Sequence, residues 1–203
     1  MTGGGAEPWP GSVATPRLLL RAFRHEDVPD FVPLIGDWEV ARWLARVPHP
    51  YSVADGHDWV ELAVRNHADR AALAFLAVRT ADGVPVGSVG LQLDRLQPDL
   101  DRPGSAEIGY WVGTPYHRAG YGLEMVTAML GVGFGPLGLS RSLSRIWAAT
   151  DPDNLPSQAL LRKAGLRQRG ERRQDFPARG RSMLAPCFEI TAAEWPARRE
   201  GSA

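Results

Sequence analysis

The segment PYHRAGYGLEM, Pro115 to Met125, sets His117 and Arg118 just before Gly120, Tyr121 and Gly122, where an apolar run gives way to helical spacing. Tyr121, Met125, Ala128 and Val132 recur on one face, so Tyr121 falls in the first turn of a helix laid on a sheet. Backbone N–H groups at such a start lack partners within the helix, and the positive end of the dipole points outward. A phosphate is held there if no side chain covers the backbone. Gly120 and Gly122 leave it open, and His117 and Arg118 can add charge-assisted bonds to a diphosphate. The same residues equally fit a plain tight turn, with His117 and Arg118 on a solvated surface. Neither G-x-x-x-x-G-K-[ST] nor G-x-G-x-x-G occurs at this turn, which weighs against Walker-type and Rossmann-type nucleotide sites.

A second pattern lies in DPDNLPSQALLRKAGL, where Asn154 and Ser157 stand three apart at the start of the following helix. Side chains three apart share a helix face, here the side on which the preceding strand ends. Capping by Asp153 or Asn154, with Pro156 in the first turn, accounts for part of this pattern without excluding ligand contact.

The elements that must position these residues alternate along the chain. RLLLRAF (17–23) reads as a strand and HEDVPDFVPLI as a helix; DWEVARWLA and VADGHDWVELAVRNHA follow as helices, the latter capped by Ser52 or Asp55. LAFLAVRT and VPVGSVGLQLDRL form a hairpin about Asp82-Gly83, followed by the polar loop DRLQPDLDRPGS. SAEIGYWVG is a strand, YGLEMVTAMLGVGF a helix, SRIWAAT a strand, and PSQALLRKAG a helix ending at Gly165; LRQRGERR and SMLAPCFEIT close the chain as strands. This order predicts one mixed α/β domain.

Composition limits the classes open to the chain. Its 203 residues, 44% hydrophobic, can bury one sizeable core. With 23 basic and 23 acidic residues there is no general attraction to nucleic acid or to an anionic membrane, so any anion site is local. Cys187 is the only cysteine, which suits a reducing compartment and makes the cytoplasm the default location. The start MTGGGAEPWPGSVAT lacks a basic n-region and an apolar h-region, and nowhere do about 18 apolar residues run together. Residues 1–14 are expected to be a flexible tail with Trp9 tacked down, residues 15–196 the domain, and 197–203 a second tail.

Together EIGYWV, the loop Pro-x-His-Arg-x-Gly-Tyr-Gly and DPDN-x-x-S-x-x-x-x-x-K-A-G-L resemble the GNAT acyltransferases, particularly the branch similar to ribosomal-protein N-terminal acetyltransferases. TPRLLLR is similar to that branch's opening strand, and FEITAAEW to its closing strand and acidic-Trp stop. The resemblance implies a single GNAT-like domain whose mixed, mostly antiparallel twisted sheet has about seven strands, splays at its centre and is flanked by helices. It implies acetyl-CoA or a related acyl-CoA as cosubstrate, with no metal, bound between the strands of Glu107–Val112 and Arg145–Thr150. In that picture the backbone of Tyr110, Trp111 and Val112 pairs with the pantetheine arm. Arg118, Ala119, Gly120, Tyr121, Gly122 and Leu123 hold the diphosphate with His117 at the loop's start, and Asn154 bonds the arm from the other side. His117 stands where the family's loop commonly has Arg or Gln, and Leu161, read as core, where many relatives carry tyrosine. Ser157 is then the expected proton donor to the leaving thiolate.

The chemistry so implied is direct attack of an amine on a thioester, which needs a neutral amine, a polarised carbonyl and a proton for the thiolate. Glu107, a carboxylate within an apolar strand, is the first choice of base, directly or through water; an arginine's cross-strand partner is the other role open to it, and Asp175 in RRQDF is the reserve. Cys187, in the closing strand, stands apart from these motifs. Trp38, Trp43, Tyr51 and Trp59 receive no role, since tryptophans at helical spacing are more often core. The acceptor is a small-molecule or peptide amine, with no nucleic acid or membrane partner; a homodimer is left open. A non-catalytic acyl-CoA sensor and an acyltransferase preferring a bulkier acyl such as succinyl are the alternatives.

Overall fold

The computed structural model describes residues 9–93, 104–135 and 143–195. Strand β1 (Ser12–Ala14) forms one edge of the sheet and pairs antiparallel with β2 (Leu18–Arg21). This corrects the expectation of a loose tail through residue 14: Thr15 accepts from the Leu18 amide and donates to the Leu18 carbonyl, folding the leader back onto β2. Trp9 packs against the main core, as expected of it. Residues 1–8, the expected tail 197–203 together with residue 196, and nearly all of the loop after β4 lie outside the described residues.

Three helices follow, α1 (Val28–Gly36), α2 (Trp38–Ala41) and α3 (Val53–Ala68). At the start of α3 Ser52 and Asp55 exchange side-chain and backbone bonds in a capping box. Helix α2 is shorter than DWEVARWLA suggested and is a single turn capped by Asp37. The hairpin β3 (Ala72–Arg79) and β4 (Pro85–Leu93) leads to β5 (Ser105–Val112), α4 (Tyr121–Phe134), β6 (Arg145–Ala149) and α5 (Leu155–Ala164). The strands β7 (Arg167–Phe176) and β8 (Arg181–Thr191) complete the domain.

The eight strands run in the order β1-β2-β3-β4-β5-β6-β8-β7, one more than the sequence suggested. Every neighbouring pair is antiparallel except β5 with β6. Parallel neighbours need a crossover, and α4 supplies it. Side chains alternate across the strands and build a core on each face. Leu20, Phe75, Leu91, Ile108, Ile146 and Phe188 pack with Met125, Met129 and Leu161 beneath α4 and α5. Leu76 and Val78 pack on the other face with Phe31, Ile35 and Val60 of α1 and α3. Full burial of one such side chain stabilises the fold by about 1.5–3 kcal/mol. Among the described residues no helix is long and apolar enough to cross a membrane.

The centre of the sheet is splayed. Strand β5 pairs with β4 along its whole length, from Leu93↔Ala106 to Gly87↔Val112. Against β6 it pairs only at Ser105↔Arg145, Ala106↔Ile146 and Glu107↔Trp147. Beyond Glu107 the two strands diverge and leave a gap, bounded on the helical side by the starts of α4 and α5.

Candidate active site

Backbone alternation decides what β5 presents to this gap. The Gly113 amide bonds to the Val86 carbonyl of β4, at 2.9 Å. Successive residues of a strand direct their peptide groups to opposite sides, so those of Trp111 and Gly109 also face β4, whereas those of Val112, Tyr110 and Ile108 face the gap. The three residues expected to line an arm therefore reduce to two that offer backbone bonds, Tyr110 and Val112. Trp111 instead packs on the α1/α3 core. His117 reaches back to this edge, its Nε2 lying 2.9 Å from the Val112 carbonyl oxygen. A carbonyl only accepts, so Nε2 carries the proton and donates.

Past His117 the chain passes through Arg118 at φ 61° and Gly120 at φ 84°, both left-handed, before entering α4. Gly120 has no Cβ to strain in this conformation. No side chain caps α4 at Gly120, in contrast to Ser52 on α3 and Asn154 on α5. The first-turn amides of α4 are thus left to an outside acceptor. His117, Arg118, Ala119 and Gly120 are exposed around that start, Leu123 is half-buried, and Tyr121 and Gly122 are buried. Gly122 serves close packing: a Cβ there would stand 2.6 Å from Leu160 of α5.

The turn is held from behind by residues that the sequence did not single out. Arg17 pairs with Glu124 at 2.7 Å, donates to the Ala119 carbonyl at 2.9 Å and stacks over the Tyr121 ring at 4.6 Å. Glu124 also accepts from the Thr15 hydroxyl and the Arg17 amide. Burial pushes its carboxyl up, but these three hydrogen bonds and the Arg17 charge outweigh burial and hold it below the usual value. Arg17 and Glu124 are 107 residues apart, and no local signal joins them.

Across the gap, Asn154 caps α5, its Oδ1 accepting from the Ser157 amide at 3.1 Å. With one lone pair of Oδ1 committed to the cap, the amide nitrogen is the freer group for a bond to a ligand. The Ser157 hydroxyl meets Tyr110, whose Oη lies 2.8 Å from Ser157 Oγ. Burial pushes the Tyr110 phenol up to about 12, with the Ser157 bond acting in the opposite direction. Leu161 is fully buried in the core.

Glu107 is half-buried at the apex of the splay, in register with Trp147 of β6. The pairing with β4 is unbroken through this stretch, so no bulge shortens the path from Glu107 to Trp111, and Glu107 keeps the face opposite Tyr110. On that face a concavity of about 360 Å³ is lined by Arg145, Trp147, Arg172, Cys187 and Glu189 among others. Its floor is Trp147, 1% exposed, with Arg172 stacked over the ring at 4.1 Å. Asp175 lies on β7, three strands from β5, and is exposed with Arg173 at 3.9 Å. Burial raises the Cys187 thiol, the opposite of what a nucleophilic cysteine needs. Tyr51 and Trp59 pack on the second core, while Trp38, 47% exposed, lies under Arg179. Among the described residues no three His, Cys, Asp or Glu side chains converge as a metal site.

The site is thus a helix-bridged parallel pair, β5 and β6, that opens toward the uncapped start of α4. The chain belongs to the GNAT acetyltransferase family, matching the Acetyltransferase (GNAT) domain over residues 17–167. Relatives include the uncharacterised N-acetyltransferase p20 of Bacillus licheniformis, 28% identical over 186 residues that cover 89% of this chain and 96% of that protein. The uncharacterised N-acetyltransferase YnaD of Bacillus subtilis is 26% identical over 184 residues, 90% of this chain and 98% of that one. Among solved structures, Mycobacterium smegmatis RimJ in complex with CoA-disulfide superposes with a TM-score of 0.76 at 22% identity, covering 93% of this chain and 90% of that one. The ribosomal-protein-S5-alanine acetyltransferase of Vibrio fischeri gives 0.73 at 18% identity, covering 91% and 98%.

Proposed function

We propose that this acetyltransferase transfers an acetyl group from acetyl-CoA to a primary amine by direct attack. The observation that carries the reading is the gap itself: an unpaired edge of β5, with the peptide groups of Tyr110 and Val112 facing it, leads to the uncapped start of α4 at Gly120. An amide-bearing arm fits the first and a diphosphate the second. The arm bonds to Tyr110, Val112 and the Asn154 amide nitrogen; the diphosphate lies on the amides from Arg118 to Leu123, with the Arg118 guanidinium beside it. The relative RimJ was solved with a CoA species, which supports this choice of ligand.

In the reaction the amine lone pair forms the N–C bond, the C–S bond breaks, and its electron pair leaves on sulfur. Ser157, at the first turn of α5, donates a hydrogen bond to that sulfur as the charge develops on it. Glu107 accepts the amine proton through ordered water, because four strand residues place it about 13 Å from Trp111. The acceptor enters from the Glu107 face, opposite the helices that hold the donor. The relatives named as ribosomal-protein acetyltransferases favour a peptide amine, and an α-amino group, with a reference pKa of about 7.7–8.0, needs less help from a base than a lysine at about 10.4. Thiol release measured across a panel of peptides and small amines, with acetyl-CoA and succinyl-CoA as donors, tests the reading. Release with an amine and acetyl-CoA supports it. Tight CoA binding without turnover on any amine replaces it with a sensor.

A further inference from the structure

The pairing of Tyr110 with Ser157 ties β5 to the first turn of α5 beneath the gap. Tyr110 Oη lies 2.8 Å from Ser157 Oγ and 3.3 Å from the Ser157 carbonyl oxygen. Two hydroxyls at this distance can be ordered in either direction, but the carbonyl only accepts, so both contacts are served together when the tyrosine proton points toward Ser157. Ser157 Oγ then accepts from Tyr110 and keeps its own proton for a third group. The Ser157 amide is already held by Asn154 Oδ1 at 3.1 Å, which fixes the residue whose hydroxyl is being aimed. Tyr110 is half-buried, and burial pushes its phenol up to about 12, so it stays a neutral donor throughout the working pH range.

We propose that Tyr110 is a positioning residue for Ser157, its hydroxyl donating to Ser157 Oγ so that the Ser157 O–H is aimed and polarised toward the sulfur that leaves into the gap. The assignment builds on the acyl-CoA reading of that gap. It also defines what Ser157 does. A thiol with a pKa near the cysteine reference of about 8.5 leaves as a far weaker base than a serine alkoxide, so the proton stays on Ser157 and the sulfur departs as a hydrogen-bonded thiolate. The C–S electron pair remains on sulfur, and the thiolate is protonated by solvent on release. A chain of two hydroxyls polarises along its length, which strengthens the terminal bond at the moment charge develops.

The test uses CoA itself and needs no acceptor. The thiol of CoA bound to the protein is titrated by its thiolate absorbance in the ultraviolet, for wild type, Tyr110→Phe, Ser157→Ala and the double variant, with thermal melts confirming that each is folded. Ser157→Ala is expected to lower the bound thiol's ionisation constant roughly ten-fold, the size of a lost hydrogen bond to a charged group. Tyr110→Phe is expected to give a smaller loss in the same direction, and the double variant no more than Ser157→Ala alone. With an amine that turns over, kcat should follow the same non-additive pattern while KM for acetyl-CoA stays unchanged. A Tyr110→Phe protein whose bound thiol titrates as in wild type, or whose effect adds in full to that of Ser157→Ala, overturns the assignment and makes Tyr110 a packing residue. Failure of CoA to bind the wild type overturns the acyl-CoA reading, and this proposal with it.

Discussion

His117 donates from Nε2 to the carbonyl of Val112, 2.9 Å away, and so closes the end of β5 onto the loop that enters α4. In this geometry the imidazole shapes the site through the backbone. His117→Ala is expected to weaken acetyl-CoA binding by three- to ten-fold, the worth of one hydrogen bond. The loss should be the same for acetyl-pantetheine, which lacks the diphosphate. Calorimetry with both ligands checks this; a loss confined to acetyl-CoA would place His117 on the diphosphate instead.

Gly120 sits at φ 84°, where an L side chain costs about 1–2 kcal/mol and a β-branched one more. A Cβ there would stand 3.3 Å from Arg17 Nη2, the end of a side chain able to move, so backbone strain outweighs contact. Gly120→Val should remain folded with a lowered Tm and lose at least ten-fold in acetyl-CoA affinity, because the branched side chain covers the first-turn amides. Unchanged affinity in a folded Gly120→Val protein places the diphosphate elsewhere.

Glu107, as a base acting through water, predicts a pH-dependent defect. Glu107→Gln should lower kcat/KM near neutral pH, and the deficit should shrink as pH approaches the amine's own pKa, where free amine is abundant. Parallel pH–rate profiles for the two proteins would assign Glu107 to the sheet's electrostatics and turn attention to Asp175.

The carboxyl of Glu124 is held below its ordinary value of 4.5 in the folded chain. A group depressed in this way contributes stability that is fully present above the unfolded-state value and is lost as pH falls through the folded one. Wild type should therefore lose stability below about pH 4.5. Glu124→Gln should be less stable at neutral pH and show a shallower acid decline. Denaturant melts at a series of pH values measure both slopes; identical acid limbs would mean that the cluster of Thr15, Arg17 and Glu124 contributes nothing linked to protons.

Elements with strong local signals were legible from the sequence. VADGHDWVELAVRNHA and YGLEMVTAMLGVGF coincide with α3 and α4 because a capping box opens one and a left-handed glycine the other. Strand β1 was not legible: three residues between Gly11 and Pro16 are too few to show a period of two, and it exists only because β2 offers an edge. The turn at Gly120 and the cap at Asn154 could be read from local spacing. What fixes their surroundings could not: Tyr110 and Ser157 are 47 residues apart, and Val112 and Leu160, between which Gly122 is packed, belong to different elements. The strand's alternation also decides which of three adjacent residues face the gap, and that depends on the register with β4, a tertiary fact.

The half-paired strand β5 carries a further consequence for how its amides exchange with heavy water. Trp111 and Gly109, turned to β4, should be protected to the level of the sheet, whereas Tyr110 and Val112, turned to a gap without a partner strand, should exchange faster, giving an odd–even pattern along a single strand. A bound arm acts as a short additional strand, so saturating CoA should slow the even positions and leave the odd ones unchanged. The exchange rates of four consecutive amides thus record whether the ninth rung of this eight-stranded sheet is filled.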